Sequence, residues 1–258
     1  SWRTKMPVID DIRTALPATL ELIIFAFTIA MAIGIPLGVL AALKKYSIID
    51  HLIRIFTVSG ASMPVFWLAL ITQLVLSSWL RLFPAAKRVD ESIVLETGFH
   101  PLTGFYLLDS LLQGNTLVFT NVLQHMILPA LVLSLYPLCL SARMTRALML
   151  EVLNEHYIRS ARAWGLPRKL ILFKYALKNV IAPVVASLGL SFGYTIIGAF
   201  MVEIIFVWPG IGYYTAMALL SFDYPAVMGC IIVVSIFYCI INTVVDILHA
   251  IIDPRVKL

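Results

Sequence analysis

The chain has 258 residues, of which 61% are hydrophobic and only 13% charged, with a mean hydropathy of +0.96. Soluble domains carry about 25% charged residues, so this composition argues against an ordinary soluble enzyme and for a membrane protein. The net charge of +5 and pI near 9.2 fit the excess of Lys and Arg on cytoplasmic loops of membrane proteins better than a nucleic-acid surface.

Residues 1–16 are polar and mixed in charge, and are expected to form an extracytoplasmic segment before a membrane domain over 17–252. Pro17 suits the first turn of a helix. Residues 22–43 are a run of 22 without charge, enough to cross a hydrocarbon core of roughly 30 Å, and a first span is expected over about 17–43. Within it, Gly34-Ile-Pro-Leu-Gly38 reads as close helix packing in preference to a kink near a pathway. Lys44, Lys45 and Arg54 bracket a short loop. A second span, about 55–80, is interrupted by Gly60, Ser62 and Pro64. Residues 81–121 form a long loop that contains the amphipathic piece Thr103-Gly-Phe-Tyr-Leu-Leu-Asp-Ser-Leu-Leu112. A third span, about 122–142, carries Pro129 and Pro137 and extends as a helix bearing Arg143, Arg146 and Glu151.

Next comes Tyr157-Ile-Arg-Ser-Ala-Arg-Ala-Trp-Gly-Leu166, a short, basic, Ala-rich helix stopped by Gly165. Arg159 and Arg162 lie on one side; Tyr157, Ser160, Ala161 and Trp164 lie on the other, at i, i+3, i+4 and i+7. By its residues alone, such a helix either lies flat on lipid or fits a socket in another protein. Four further cations in 168–178 precede a fourth span, about 179–202, which has small residues at 182, 186, 189 and 193. Glu203-Ile-Ile-Phe-Val-Trp-Pro-Gly-Ile-Gly212 is too interrupted to span. It reads as a turn or re-entrant hairpin across the outer mouth, either a gate or a fixed plug, because irregular backbone at that depth needs cover from protein or water. Glu203, Trp208, Pro209 and Gly210 are its candidates for a translocation path or outer gate. A fifth span, about 224–250, leads to the tail 253–258.

Placing the 157–166 helix in the cytoplasm puts 44–54, 143–178 and the C-terminus there as well. These segments hold 13 of the 19 Lys and Arg, and six (Arg3, Lys5, Arg13, Arg81, Lys87 and Arg88) remain outside. That bias sets the orientation. Five spans with a cytoplasmic C-terminus leave Ser1 outside, so at least one further N-terminal span is expected ahead of this sequence.

Away from their margins, where Glu21, Glu203 and Asp246 sit, the spans hold no Asp, Glu, Lys or Arg, and His125 near an outer end is their one titratable group. Gradient-driven carriers usually place carboxylates near mid-membrane, and their absence here argues against a secondary carrier. There is no G-x-x-x-x-G-K-[S/T] phosphate cradle, and no nucleophile–base or metal cluster. Cys139, Cys230 and Cys239 lie in apolar runs and read as small apolar side chains, and the five histidines have no ligand spacing. No catalytic residue and no metal site is expected.

The string Tyr157-Ile-Arg-Ser-Ala-Arg-Ala-Trp-Gly-Leu166, with Leu177 twelve residues after the glycine, resembles the "EAA" loop of ABC-importer permeases, in particular the dipeptide, oligopeptide and nickel branch. Aligned on Gly165, the general motif's glutamate falls on Arg159, its alanines fall on Ser160 and Ala161, and Lys178 replaces its proline. These departures are usual in the peptide branch. Glu203-x-x-Phe-x-Trp-Pro-Gly-Ile-Gly212, Asp223-Tyr-Pro225, Asn242-x-x-x-Asp246 and Asp253-Pro-Arg255 extend the resemblance to the end of the chain. It implies an all-α polytopic membrane protein with the type I ABC importer fold, a permease of a bacterial or archaeal plasma membrane. Its partners would be a second permease subunit, two cytoplasmic ATPases, an extracytoplasmic solute-binding protein and membrane lipid, without nucleic acid. ATP and Mg would sit on the ATPases and no cofactor on this chain. A coupling loop over about 151–178 would seat Tyr157, Arg159, Ser160, Ala161, Arg162, Trp164, Gly165 and Leu166 in an ATPase cleft. Peptides are the expected cargo. Nickel or another small solute is the alternative, and a self-contained channel or carrier is the alternative from another class.

Overall fold

The computed structural model describes residues 1–252, with the side chains of Asp246 and 248–252 outside the described set. The sequence expectations on Asp246, His249, the tail 253–258 and its Asp253-Pro-Arg255 string therefore lie outside the described residues. Every regular element among the described residues is helical. Helix α1 (Val8–Leu43) has 36 residues, well beyond the roughly 20 that a span needs. It starts earlier than the first apolar run. The N–H groups of Asp10 and Asp11 both bond to the Pro7 carbonyl, and the two acids sit at the positive end of the helix. Pro17 is thus inside the helix and not at its start. Charge excludes those first turns from hydrocarbon, not from helix.

Helix α2 (Ile48–Ser62) ends at Met63-Pro64, and α3 (Val65–Thr72) continues through a π-helical stretch, Gln73–Trp79. Proline at 64 removes a donor and pushes its predecessor out of helical geometry, which splits this apolar segment into a bent helix pair, either a broken span or a re-entrant loop. Two short helices, α4 (Glu91–Thr97) and α5 (Tyr106–Leu112), punctuate the following loop. Helix α6 (Thr116–Val152) runs unbroken through the third apolar segment and its basic extension. The chain then forms α7 (His156–Ala163) and α8 (Arg168–Leu170), passes through a π-helical turn, Ile171–Leu177, and enters α9 (Lys178–Leu190). Helices α10 (Phe192–Ile205), α11 (Ile211–Leu220) and α12 (Tyr224–Ile252) complete it. Four helical segments are long and apolar enough to cross a bilayer, or five with the broken pair counted as one span.

The chain divides into two compact units. Of the described residues, one comprises 1–26, 63–134 and 194–237; the other comprises 27–62, 135–193 and the chain from 238 to 252. In the first, Ile12 and Ala15 of α1 pack with Ile211, Tyr214 and Ala218 of α11 and with Ala226 and Cys230 of α12. In the second, Ala42, Met149, Ile158, Ala161 and Ile171 join Val180, Val184 and Leu188 in one core. There α1 and α6 touch backbone to backbone: a Cβ on Gly38 would stand 2.6 Å from the Ala142 carbonyl oxygen, and the Ser141 hydroxyl donates to the Ala30 carbonyl at 3.1 Å. Packing therefore accounts for the Gly34–Gly38 pair.

Candidate functional site

Helix α7 buries one narrow stripe. Ile158 is fully buried and Ala161 nearly so, and both belong to the core shared with Met149 and Ile171. Tyr157, Arg159, Ser160 and Arg162 are exposed, and Trp164 is 82% exposed. The outward face expected from the sequence therefore divides differently. Ala161 points inward with Ile158, at i and i+3, and its burial removes it from any partner's reach. What α7 presents is Tyr157, Arg159, Ser160, Arg162 and Trp164.

The end of α7 is closed by paired backbone bonds. The Leu166 N–H donates to the Ala161 carbonyl at 3.2 Å, and the Gly165 N–H donates to the Arg162 carbonyl at 3.0 Å. This pattern needs a left-handed residue just past the helix, and Gly165 supplies it at φ +72°. Leu166 drops onto the same core as Ala161, the apolar contact that accompanies such caps. The beginning of α7 is tied too. The Tyr157 hydroxyl donates to the Tyr175 carbonyl at 3.4 Å and accepts from Asn179 Nδ2 at 2.9 Å. Arg162 also borders a cavity of about 480 Å³, which it shares with Arg168, Leu43, Leu153 and Leu166. The result is a small knob, immobilised at both ends, with a basic and aromatic outer surface.

Elsewhere in that unit, Arg146 makes a two-pronged contact with the buried Asp50 at 2.6 and 2.8 Å, and the Tyr46 N–H adds a third bond at 3.1 Å. Sequence reasoning passed over Asp50. The available signal was a lone acid in a loop otherwise bearing Lys44, Lys45 and Arg54.

In the other unit the structure brings Glu203, Trp208, Pro209 and Gly210 together, with unequal roles. Glu203 is fully buried. Its carboxyl accepts from the Thr19 hydroxyl at 2.6 Å and from the N–H groups of Gly212 at 2.7 Å and Tyr213 at 3.2 Å. It thus caps the first turn of α11, where free N–H groups and the helix dipole favour an acidic group. Thr19 in turn accepts from the Ile211 N–H at 2.8 Å. Trp208 is buried, and its indole N–H donates to the Ala18 carbonyl at 3.0 Å. Pro209 and Gly210 border an open cavity of about 570 Å³, which they share with Asp11, Arg13, Arg88 and Tyr213, and Glu203 lies in the wall of a second, largely apolar one of about 340 Å³ with Thr19, Phe200 and Thr215. This turn is a pinned structure in which Glu203 holds the backbone.

A second buried polar knot lies in the same unit. Glu21 pairs with Arg88, and both are nearly inaccessible. Glu21 also accepts from the Leu107 N–H at 2.8 Å, and Arg88 donates to the Gly104 carbonyl at 2.7 Å beneath the Tyr106 ring. At the junction of α11 and α12, Asp223 is buried. Burial alone would raise its pKa. The N–H groups of Arg3, Trp2 and Ala226 and the Ser1 hydroxyl outweigh that and hold it well below the usual carboxylate range. Among the described residues no three of His, Cys, Asp and Glu gather as a metal site.

The sequence profile of the family described as "Binding-protein-dependent transport system inner membrane component" matches residues 34–258. A probable D,D-dipeptide transport system permease protein of Escherichia coli (DdpB) is 46% identical over 256 residues, covering 99% of this chain and 74% of its own length. The dipeptide transport system permease protein of Escherichia coli (DppB) is 41% identical over 257 residues, covering all of this chain and 76% of its own length. A putrescine export system permease protein of Escherichia coli (SapB) is 35% identical over 251 residues, covering 96% of this chain and 77% of its own length.

Proposed function

The chain belongs to the family of binding-protein-dependent transport system inner membrane components, and on that premise we propose that it is the permease subunit of an ATP-driven importer of di- and oligopeptides. Its all-helical architecture, with four or five candidate spans, is that of the type I ABC importer membrane domain. The cargo reading draws on the two dipeptide relatives, each aligned over essentially the whole chain.

The observation that carries the mechanism is the knob at α7. Ile158 and Ala161 anchor it in the core that also holds residues of α1, α6 and α9, so a push on the exposed Tyr157, Arg159 and Trp164 is passed directly to membrane-crossing helices. In this reading the outer surface of α7 seats in a cleft of a cytoplasmic ATPase, Trp164 and Tyr157 supply apolar contact, and Arg159 and Arg162 meet acidic groups on its rim. ATP with Mg²⁺ is bound and hydrolysed on two such ATPase chains, and this chain performs no chemistry itself. A second, different permease chain completes the pathway, an extracytoplasmic binding protein delivers the peptide, and the C-terminus lies in the cytoplasm.

Purification of the assembled particle from native membranes tests this. Two ATPase chains and a second permease are expected to copurify, and proteoliposomes are expected to accumulate dipeptide only with ATP and the binding protein. Reversing Arg159 and Arg162 to Glu is expected to reduce ATPase recovery at unchanged membrane abundance. Conductance by the chain alone would overturn the reading. So would ATP-driven putrescine efflux, the activity in the name of the export relative.

A further inference from the structure

Helix α5 is turned inside out for a helix in water. Its polar residues Asp109 and Ser110 are completely buried, whereas Leu108, Leu111 and Leu112 are 49%, 61% and 66% exposed. The polar side fixes this rotation. The Asp109 carboxylate accepts from the N–H groups of Leu102, Thr103 and Gly104 at 3.0–3.1 Å and from the Thr103 hydroxyl at 2.7 Å. The Ser110 hydroxyl is satisfied within α5 by the Leu107 carbonyl at 2.9 Å, and the Leu107 N–H ties the helix to the Glu21 carboxylate of α1 at 2.8 Å. No rotation can hide the leucines without breaking the bonds of Asp109 and Glu21.

We propose that this leucine face beds into the interfacial layer of the lipid bilayer, beside the point where α6 enters it. Two features favour lipid over a protein partner. First, α5 cannot swing far from the span. Gly114, at φ +66°, closes it with bonds from the Asn115 N–H to the Ser110 carbonyl at 2.9 Å and from the Gly114 N–H to the Leu111 carbonyl at 3.1 Å, and α6 begins at Thr116. Second, the span that follows also opens on an exposed leucine, Leu117 in the first turn of α6, at 64% exposure. The face has no charge and no hydrogen-bonding side chain. A protein seat would be expected to add a polar rim, whereas an interfacial helix needs only an apolar side towards the acyl chains. The consequence is mechanical: loop 102–104, which receives Arg88 through the Gly104 carbonyl, is anchored to the membrane surface and not only to the protein. This inference rests on membership of a membrane family and is independent of the coupling role proposed for α7.

The test places single cysteines at 108, 111 or 112 of the full chain, in an assembled transporter whose other accessible cysteines are replaced by serine. Each is labelled with a nitroxide in proteoliposomes. Leu111→Cys and Leu112→Cys labels are expected to collide severalfold more with dissolved oxygen than with a water-soluble nickel chelate. A label at Glu96→Cys, exposed on α4, should show the reverse. Dominant relaxation by the chelate would mean that the face meets water and would overturn the proposal. Slow relaxation by both reagents would mean protein cover, and would overturn it equally. Leu108→Cys reads the same face should a label at 111 disturb assembly.

Discussion

The cap at Gly165 provides the sharpest test of the knob. No heavy atom lies within 4 Å of the position a Cβ would take there, so a substitution cannot act by collision and must act through the backbone. A left-handed conformation costs an L-residue roughly 1–2 kcal/mol. The reduced freedom of alanine in the open state offsets about 0.4–1 kcal/mol of that, which leaves a net loss of roughly 1 kcal/mol. The local equilibrium between a closed and a frayed cap frees the same residue and should shift by the same amount, a factor of roughly 5.

Coupled transport is therefore predicted to fall in the order Gly, Asn, Ala, Val at position 165. Asparagine tolerates the left-handed region, and a β-branched residue is an outlier there. The assay is the ratio of dipeptide taken up to ATP hydrolysed in proteoliposomes, with membrane abundance as control. A valine variant that couples like the native chain would refute the reasoning. So would an ordering by side-chain volume, with alanine ahead of asparagine, since space is not limiting at this position.

Three further outcomes follow from the buried polar contacts. Glu203→Ala should lower the melting temperature of the detergent-solubilised complex, because each orphaned donor among Thr19, Gly212 and Tyr213 costs about 1–3 kcal/mol. Glu203→Gln keeps an acceptor and should lose less, and equal melting of both variants with the native chain would refute the capping role. Removing either partner of the Glu21–Arg88 pair should cost about 3–5 kcal/mol, while a double variant with apolar side chains should lose markedly less than the sum, as a double-mutant thermal cycle would detect. Asp223, with its carboxyl held low, contributes stability that is fully present above an ordinary carboxylate pKa of about 4 and is lost as pH falls through its lower folded value. Asp223→Asn should therefore be less stable than the native chain at neutral pH, and the difference should shrink on strong acidification. A gap that holds steady into strong acid would count against the assignment.

That several segments cross a membrane was legible because the bilayer writes a coarse rule into the sequence, about 20 residues without charge; their limits were not, since the apolar stretch expected over about 179–202 is split between a candidate span over 168–190 and the shorter helix α10. The knob was legible because Tyr157 to Leu166 is a contiguous string. What escaped was whatever depended on the direction of burial or on distant partners. A helical wheel places Ala161 beside Trp164 but cannot say on which flank the protein lies; Ile158, set among arginines in sequence, turned out to be the anchor. Glu21 and Arg88 are 67 positions apart, and Asp50 and Arg146 are 96 apart, so neither pair leaves a local pattern. Glu203 was visible as a carboxylate at the margin of a span. Its role as a cap came from α11, which begins eight residues later, behind an irregular turn.

Helices α5 and α7 show why local chemistry and surrounding solvent must be read together. Both end on a left-handed glycine with the same pair of backbone bonds, Gly114 in one and Gly165 in the other. Both are short, and neither would persist alone in water. Yet α7 buries Ile158 and Ala161 and offers arginines, while α5 buries Asp109 and Ser110 and offers leucines. An identical terminator therefore says nothing about what a helix faces; the sign of its amphipathicity does. A basic, aromatic face suits an acidic protein surface, and a bare leucine face suits acyl chains. Exchanging the two surfaces, with leucines at 159 and 162 or arginines at 108 and 111, should leave both caps intact while abolishing ATPase recovery in the first case and bilayer contact in the second.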